Sequence, residues 1–457
     1  MTDERVPRRV IGAVVATGLL SFCGVIIETA MNITFPTLMR QFDVGTSTVQ
    51  WLTTLYLLVV AAIVPLSATL KRTLRMKTLF LIANGLFLLG VALDGLAPTF
   101  AILLLGRGVQ GLGTGIALPL MFNIILAQVP RSKIGLMMGL GTMITGVAPA
   151  IGPTFGGVVV ATLSWRYIFL FLTPVLLGSL VLGSLTIVQS EPLTRPRVDG
   201  LSVVTIILAF VGLVYAVANA TGAWLSWSVA GAGSFGVVCL ALFVWRSSLL
   251  AHPVVALTSF RQPAFAAQVG AFVAIQMLAL ALSFILPNYV QLVDGGSALA
   301  AGLTVLPGAA VGAILAPLAG RVYDRLGPRW PILGGTCIML LGLGQFAWVG
   351  RAMGPATIIG VYLVFMLGIG LAFGNIMTNA LAALPEAAQS DGNAIMTTLQ
   401  QFAAAMGTSL AATLVAGGQA TKGPLAVGTA LGATHAFIVL VGLCGVAFLS
   451  LAWALRR

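Results

Sequence analysis

The chain has 457 residues, of which 59% are hydrophobic and only 7% are charged, and its formal net charge is +12. Soluble domains carry about 25% charged residues, so this composition excludes a soluble protein and indicates a polytopic membrane protein. The basic residues are dispersed in short loops, which favours a membrane topology signal over nucleic-acid binding, and we expect no nucleic-acid partner.

The N-terminal segment is charged and runs directly into a long apolar stretch. Residues 10–32 are too long for the apolar core of a signal peptide, and no cleavage site with small residues follows them. We therefore expect this segment to be retained as a first helix.

Apolar segments of about 20 residues, the length that a membrane-spanning helix requires, recur along the whole chain. They predict an all-α polytopic membrane protein with 14 spans. The spans are predicted at residues 10–36, 48–70, 77–97, 100–128, 134–161, 167–188, 200–218, 227–246, 264–291, 299–320, 330–350, 355–384, 392–416 and 434–455.

Lys and Arg are distributed unequally between the two sets of loops. An even number of spans places both termini on one side of the membrane. If that side is the cytoplasm, 18 of the 23 basic residues lie inside, 4 lie outside, and Arg107 is embedded. The positive-inside rule therefore predicts a multi-pass protein of the cell membrane, with the lipid bilayer around it and both termini in the cytoplasm.

Charged side chains are almost absent from the predicted spans. Asp43, Asp94 and Asp294 fall at outer helix ends, so that Glu28 is the only acid predicted inside a span. A buried carboxylate costs several kcal/mol unless water, a partner or a proton relieves it. Glu28 and Arg107 are both predicted about 10–15 Å below the outer surface, at 1.5 Å per residue. This pair predicts a proton-coupled transporter in which Glu28 binds the proton.

Several polar side chains in the spans are candidates for lining a substrate cavity. Each of them could instead join neighbouring helices through hydrogen bonds. The candidates are Asn32, Gln50, Tyr56, Gln110, Asn123, Asn288 and Asn375.

Two segments within the spans are rich in glycine. Residues 106–115, GRGVQGLGTG, place Arg107 and Gln110 one helical turn apart among glycines that permit close helix approach. Residues 145–157, TGVAPAIGPTFGG, also contain prolines, which remove backbone hydrogen bonds. They predict a bent, closely packed helix that hinges or seals, with a merely kinked structural helix as the alternative.

One inner loop, residues 320–329, has the sequence GRVYDRLGPR and sets Asp324 beside Arg325 and Arg329. The carboxylate can accept hydrogen bonds from helix N-terminal amides or pair with a basic neighbour. The loop therefore predicts a latch at an inner gate, and ordinary positive-inside charge is the alternative.

Together these segments resemble the major facilitator superfamily and, more narrowly, its fourteen-helix drug:H+ antiporter branch, most of all the lincomycin-efflux-like members. Residues 28–36, ETAMNITFP, resemble the first-helix signature D-x-T-x-x-N-x-A-L-P, with Glu28 in place of aspartate. Residues 105–111, LGRGVQG, match the fourth-helix signature R-x-x-Q-G. The antiporter signature of the fifth helix is matched by Gly146, Pro149, Gly152, Pro153, Gly156 and Gly157.

The resemblance is weaker in one inner loop. Residues 70–77, LKRTLRMK, lack the pattern G-x-x-x-D-R-x-G that the family carries after its second helix. The copy in the second half, residues 320–329, retains this pattern with Asp324. The difference puts a latch in the first half in doubt but not the fold.

The resemblance implies two six-helix bundles, residues 1–190 and 251–457, joined by a linker, residues 191–250, that carries two inserted helices. It also implies rocking between inward-facing and outward-facing states around a midplane site. We expect a monomeric, proton-coupled multidrug efflux antiporter that exports amphipathic, cationic or zwitterionic compounds. Its ligands would be small-molecule drugs and protons, and the proton gradient would supply the energy without a cofactor.

Other functions are compatible with parts of this pattern. An exporter of one metabolite, peptide or siderophore would share the fold, and growth tests with toxins would separate it from a multidrug exporter. A nutrient importer is disfavoured by the fifth-helix signature, and a channel would need a charged ring or a repeated filter. An enzyme would need clustered ligands or nucleophiles, whereas His252 and His435 stand alone and no cysteines have metal-ligand spacing. We therefore expect neither a catalytic nor a metal site.

Overall fold

The computed structural model describes residues 6–130, 137, 148, 151–189, 193, 199–220, 226–250, 257–351, 353–421 and 423–456. All regular secondary structure in these ranges is helical. A chain in lipid has no water to bond its backbone N–H and C=O groups, and helices satisfy these groups internally. The predicted all-α fold class is therefore confirmed.

The first half of the described chain contains the helices that build the site discussed below. They are α1 (Arg8–Phe42), α2 (Thr46–Val49), α3 (Trp51–Ile63), α4 (Ser67–Thr73), α5 (Met76–Gly95), α6 (Phe100–Gln128), α7 (Ile151–Thr162 in its described part) and α8 (Tyr167–Thr186). The predicted second span is divided among α2, α3 and α4. A short 3-10 turn, Val64–Leu66, separates α3 from α4, and its Pro65 has no N–H to donate.

The second half contains longer and more continuous helices. They are α9 (Gly200–Ala218), α10 (Trp227–Leu249), α11 (Pro263–Leu292), α12 (Ala298–Leu326), α13 (Arg329–Val349), α14 (Pro355–Ala382), α15 (Glu386–Gln419) and α16 (Leu425–Ala454). A 3-10 turn, Leu257–Arg261, precedes α11.

Within the described residues, 12 helices are long and apolar enough to cross a membrane, which makes this a multi-pass membrane protein. Two of the predicted spans are not among them. The span predicted at 392–416 lies in α15, a continuous helix of 34 residues that carries more polar side chains. The span predicted at 134–161 lies partly outside the described residues, and α7 is its described end.

The helices pack as two groups. The first half forms one group through contacts of α6 with α1, α3 and α5, and of α8 with α1 and α5. The second group consists of α11 to α16. The groups meet where α1 contacts α11 and α12 and where α3 contacts α15. The domain boundaries predicted at residues 190 and 250 stay a prediction.

The two groups are oriented alike. Ile33, in the last third of α1, accepts a hydrogen bond from Gln291 at the end of α11, so these helices run in the same direction. Ser450, near the end of α16, donates to the carbonyl of Ala267, near the start of α11. The first helix therefore begins and the last helix ends on one side of the molecule. We call this side the termini face and the opposite side the distal face.

An ion pair joins the two inserted helices at their termini-face ends. Arg246 on α10 donates from Nε and Nη2 to both carboxylate oxygens of Asp199, at 3.1 and 3.0 Å. Asp199 also caps α9 by accepting a hydrogen bond from the N–H of Ser202. The hydrogen bonds from Arg246 and Ser202 hold the pKa of Asp199 well below its usual range.

The inserted pair lies against the junction of the two groups, because α9 contacts both α15 and α3. Phe210 of α9 stacks on Phe402 of α15, with ring centroids 4.4 Å apart. Thr413 of α15 donates a hydrogen bond to the carbonyl of Val217 at 2.8 Å. The pair is thus in direct contact with both groups of helices.

Glycines allow the closest helix approach in the second group. A Cβ atom at Gly432 on α16 would overlap the backbone of Leu414 and Val415 on α15, whereas a Cβ atom at Gly442 on the same helix meets nothing within 4 Å. We predict that Gly432→Leu separates the two helices and lowers the melting temperature of the purified protein by at least about 3 °C, since overpacking costs about 1–3 kcal/mol. The control, Gly442→Leu, should melt as the wild type does. Equal melting temperatures for both variants would contradict this packing.

Candidate functional site

Arg107 is the centre of a polar cluster inside the first group of helices. Its side chain is 0% exposed. Nε donates to the carbonyl of Leu52 at 3.1 Å, and Nη1 donates to Oε1 of Gln110 at 2.5 Å. The guanidinium carbon lies 4.3 Å from the ring centroid of Tyr56, a cation–π geometry. Nη2 has no hydrogen-bond partner in the described structure.

Tyr56 connects this arginine to α1. Its hydroxyl donates to Oγ1 of Thr114 on α6 at 3.0 Å. A Cβ atom at Gly24 would lie 2.9 Å from Thr114 Oγ1 and 3.0 Å from the Tyr56 hydroxyl. Because position 24 is a glycine, α1 approaches the cluster closely at this level. The next turn of α1 carries Glu28.

Glu28 is the acid of the cluster that the sequence predicts. It is 9% exposed and, among the described residues, makes no hydrogen bond or ion pair within 4 Å. Its carboxylate interacts electrostatically with Arg107 and with Tyr56. The structure thus brings the predicted acid and base into one cluster without direct contact, and the role of each in proton coupling stays a prediction.

The interpretation that Glu28 is the only acid within the spans is wrong. Asp94 lies in the last turn of α5, as its place near a span end indicates, but its side chain is 0% exposed. Both carboxylate oxygens lack hydrogen-bond partners in the described residues, and the carboxylate interacts electrostatically with Arg107. The distal end of α5 is covered by Gly106 of α6 and Phe169 of α8, so Asp94 is buried although it lies near a helix end.

Two predicted cavity residues, Asn32 and Gln50, lie where the two groups of helices meet. Asn32 accepts a hydrogen bond from Thr53 at 3.0 Å and donates to Ser283 of α11 at 3.2 Å. Asn32 therefore joins one group to the other through a single amide.

Gln50, at the break between α2 and α3, takes part in a second such link. Its Oε1 accepts from Thr54 at 2.6 Å and from Ser409 of α15 at 3.4 Å. Its Nε2 is buried and has no partner in the described residues. A buried donor without a partner is costly. The cavity role of Gln50 stays a prediction.

The remaining predicted cavity residues are not in this cluster. Asn123 lines a small void of about 10 Å³ near the termini face, more than four helical turns from Arg107 along α6. Asn288 donates to the carbonyl of Phe284 in its own helix. Asn375 donates to the carbonyl of Ala319, joining α14 to α12. A cavity role for these three residues stays a prediction.

The described glycines of the fifth-helix signature bring α7 close to other helices. Gly152 and Gly156 pack against Thr29 and Ala30 of α1, and Gly157 packs against Ala298 of α12. The carbonyl of Pro153 lies against Gly302 of α12. Gly146 and Pro149 lie outside the described residues. The described part of this helix is thus closely packed, and its role in hinging or sealing stays a prediction.

The predicted inner latch is at the junction of α12 and α13. Asp324, Arg325 and Arg329 are all exposed. Asp324 forms no ion pair within 4 Å with any described residue, and Arg329 begins α13. Tyr323, the residue before Asp324, donates a hydrogen bond to the side chain of Asn379 of α14 at 3.1 Å. The latch function stays a prediction.

Hydrogen bonds between the two groups of helices lie midway or toward the distal face, as far as the described residues show. At the distal ends, Thr46 donates to Gln419 at 2.7 Å, and Thr154 donates to the carbonyl of Gly302 at 3.4 Å. Gln291 donates to Ile33 at 3.0 Å. The two groups are therefore held together on the distal side of the polar cluster.

Comparison with known sequences decides the family. Residues 17–408 match the profile described as Major Facilitator Superfamily. The chain belongs to the major facilitator superfamily. It is accordingly a transporter and not an enzyme, as the sequence predicts.

Among its superfamily relatives, the chain is 36% identical to the lincomycin resistance protein LmrB of Bacillus subtilis (strain 168), over 94% of each chain. It is 30% identical to the multidrug resistance protein Stp of Mycobacterium tuberculosis (strain CDC 1551 / Oshkosh), over 88% of this chain and 75% of that protein.

Solved structures share the fold at low sequence identity. A POT family transporter in complex with 5-aminolevulinic acid superposes with a TM-score of 0.71 at 17% identity, over 98% of this chain and 96% of that one. A bacterial homologue of the human lysosomal transporter Spinster, in an inward-facing and unoccupied conformation, superposes with a TM-score of 0.69 at 15% identity, over 99% of both chains. These likenesses concern the major facilitator fold alone.

The contacts of Arg107 generate a prediction about this superfamily member. Arg107→Lys keeps the charge. Lysine lacks the planar guanidinium that donates hydrogen bonds to both Leu52 and Gln110 and stacks on the ring of Tyr56. We expect the free energy of unfolding to fall by about 1–3 kcal/mol, seen as a lower melting temperature. Arg351→Lys, at an exposed position, is the control and should leave the melting temperature unchanged. If both variants melt like the wild type, Arg107 is not held as described.

Proposed function

We propose that this transporter exports amphipathic, cationic or zwitterionic small molecules in exchange for protons, and that Glu28 is the proton-binding group. The observation that carries the proposal is the position of Glu28. It is a nearly buried carboxylate beside a fully buried guanidinium, and it has no hydrogen bond or ion pair within the described residues.

The names of the relatives support the export of small molecules. LmrB is a lincomycin resistance protein and Stp is a multidrug resistance protein, and both align with most of this chain. Resistance to a compound that acts inside a cell is a natural consequence of export. We therefore extend export, but not a particular drug, to this chain.

The electrostatics of the cluster support proton coupling. Burial disfavours an ionised carboxylate, and a nearby guanidinium favours it, so these opposing effects leave Glu28 sensitive to small changes in its surroundings. Rocking of the two groups, which changes the access of water to Glu28, or a cation in the cavity, would change that balance. Proton uptake from one side and release to the other then follows the conformational cycle.

The position of the hydrogen bonds between the groups supports one state of that cycle. They lie midway or toward the distal face, so the structure is closed there. The groups also pack on the termini side, where α15 contacts the 3-10 turn Val64–Leu66. The 18 basic residues indicate that this side is cytoplasmic. Asn32 and Gln50 are buried between the groups, and opening on the cytoplasmic side would expose them.

We predict that Glu28→Gln abolishes proton-coupled transport but not substrate binding, because the amide keeps the shape of the side chain and cannot release a proton. Wild type and variant are reconstituted in liposomes under an imposed pH gradient, and internal pH and ethidium movement are followed together. The wild type should move ethidium against its gradient while protons move the other way. The variant should bind ethidium and not accumulate it.

Glu28→Asp is the matched control, since it keeps a carboxylate and restores the residue that is usual in the antiporter branch. It should retain coupled transport. If Glu28→Gln drives ethidium against its gradient at the wild-type rate, Glu28 is not the coupling acid.

A further inference from the structure

We propose that Asp94 is a second proton-binding group of this transporter, which shares the counter-charge of Arg107 with Glu28, so that two protons are exchanged for each transported molecule. This inference rests on the proposed proton-coupled function and extends it from one proton site to two.

The surroundings of Asp94 do not suit a permanently ionised carboxylate. Its side chain is 0% exposed, and neither oxygen has a hydrogen-bond partner in the described structure. Buried polar groups in native proteins are nearly always hydrogen-bonded, and an unpaired buried charge is far more costly than an unpaired neutral group. A purely structural aspartate would have found a capping amide or a hydroxyl partner.

The contact between α5 and α6 creates the space that the carboxylate fills. A Cβ atom at Gly106 would overlap Oδ1 of Asp94, and one turn away a Cβ atom at Gly90 would overlap Gln110. Asp94 therefore points at the backbone next to Arg107, and only a glycine at position 106 admits it. Gln110, which accepts a hydrogen bond from Arg107, lies in the same contact between α5 and α6.

Arg107 has the capacity for a further partner. Its Nε and Nη1 are hydrogen-bonded, while Nη2 is buried and free of a partner in the described residues. Both Asp94 and Glu28 interact electrostatically with this guanidinium. One positive charge cannot neutralise two carboxylates, so at least one of them needs a proton whenever the cluster is closed to water.

Among the described residues that pack around the distal half of α5, the charged groups are Arg107 and Arg166, and Arg166 donates to the carbonyl of Ala97 at 2.6 Å. From α6 the facing charged group is Arg107. The only titratable side chain of α8 is Tyr167, which is exposed at the first residue of that helix. Lys71 of α4 and Lys77 of α5 lie at the opposite end of α5.

The two acids lie at different places along the path of a proton. Asp94 is one residue from the distal end of α5, whereas Glu28 lies in the middle of α1. A proton that arrives from the distal side meets Asp94 first. Protonation of Asp94 leaves the guanidinium to Glu28, and a second proton on Glu28 neutralises both acids. A substrate cation in the cavity then supplies the second positive charge that lets both carboxyl groups release their protons.

The test measures the number of protons exchanged per ethidium. The liposomes have a membrane potential clamped at zero and a pH difference of about one unit. Exchange of two protons per ethidium then sustains an ethidium concentration ratio of about 100-fold across the membrane, and exchange of one proton sustains about tenfold. We expect about 100-fold for the wild type and about tenfold for Asp94→Asn. Asp294→Asn, a distal carboxyl outside the cluster, is the control and should match the wild type.

Each outcome is decisive. If the wild type and Asp94→Asn both hold about a tenfold gradient, or both hold about a 100-fold gradient, this inference is overturned and the proposed function stands. If the wild type holds no ethidium gradient under the pH difference, the proposed function fails, and this inference fails with it.

A second measurement covers the case in which Asp94→Asn does not fold. Dicyclohexylcarbodiimide modifies protonated carboxyl groups in apolar surroundings, and mass spectrometry of the wild-type protein locates the modified residue. We expect modification of Asp94 that decreases as the pH is raised. A carboxyl group that stays unmodified at every pH at which the protein is folded would overturn the inference.

Discussion

The structure depends on keeping one guanidinium buried in a helical bundle that has lipid on its outside. An arginine at this depth persists only if its donors and its charge are satisfied. The carbonyl of Leu52 and the amide of Gln110 satisfy Nε and Nη1, and the ring of Tyr56 stacks on the guanidinium, so that α3 and α6 supply these contacts. Glycines along α6 permit this approach, and the two carboxylates complete the charge around it. A movement that separates these helices therefore changes the electrostatic state of the cluster.

The same helices that hold the cluster also reach the contact between the two halves. On α1, Glu28 belongs to the cluster, while Asn32, one turn later, bonds Ser283 of α11. On α3, Tyr56 belongs to the cluster, while Thr54 lies 3.1 Å from Ser409 of α15. A rigid-body movement of one half against the other must break or rebuild these bonds. In the proposed mechanism, α1 and α3 would couple proton binding to the opening of the cavity, and no longer pathway is needed.

Much of this arrangement could be predicted from the sequence. Hydropathy located the helices, and the rarity of charge within them identified Glu28 and Arg107. The division of the second span into α2, α3 and α4 and the burial of Asp94 could not be predicted in this way. Asp94 is buried because Gly106 on the next helix lies opposite it, and such a pairing depends on the register of two helices. The available signal was the recurrence of glycine at positions 90 and 106 on either side of the turn between α5 and α6.

The proposed competition between substrate and protons takes place at one cluster of buried charges. Its most direct test is the proton count on binding, measured with purified protein in weakly buffered detergent solution when ethidium is added. We expect a release of protons that is absent from a Glu28→Gln, Asp94→Asn double variant that still binds ethidium. Binding of ethidium to the wild type without any proton release, across the pH range in which the protein is folded, would contradict it.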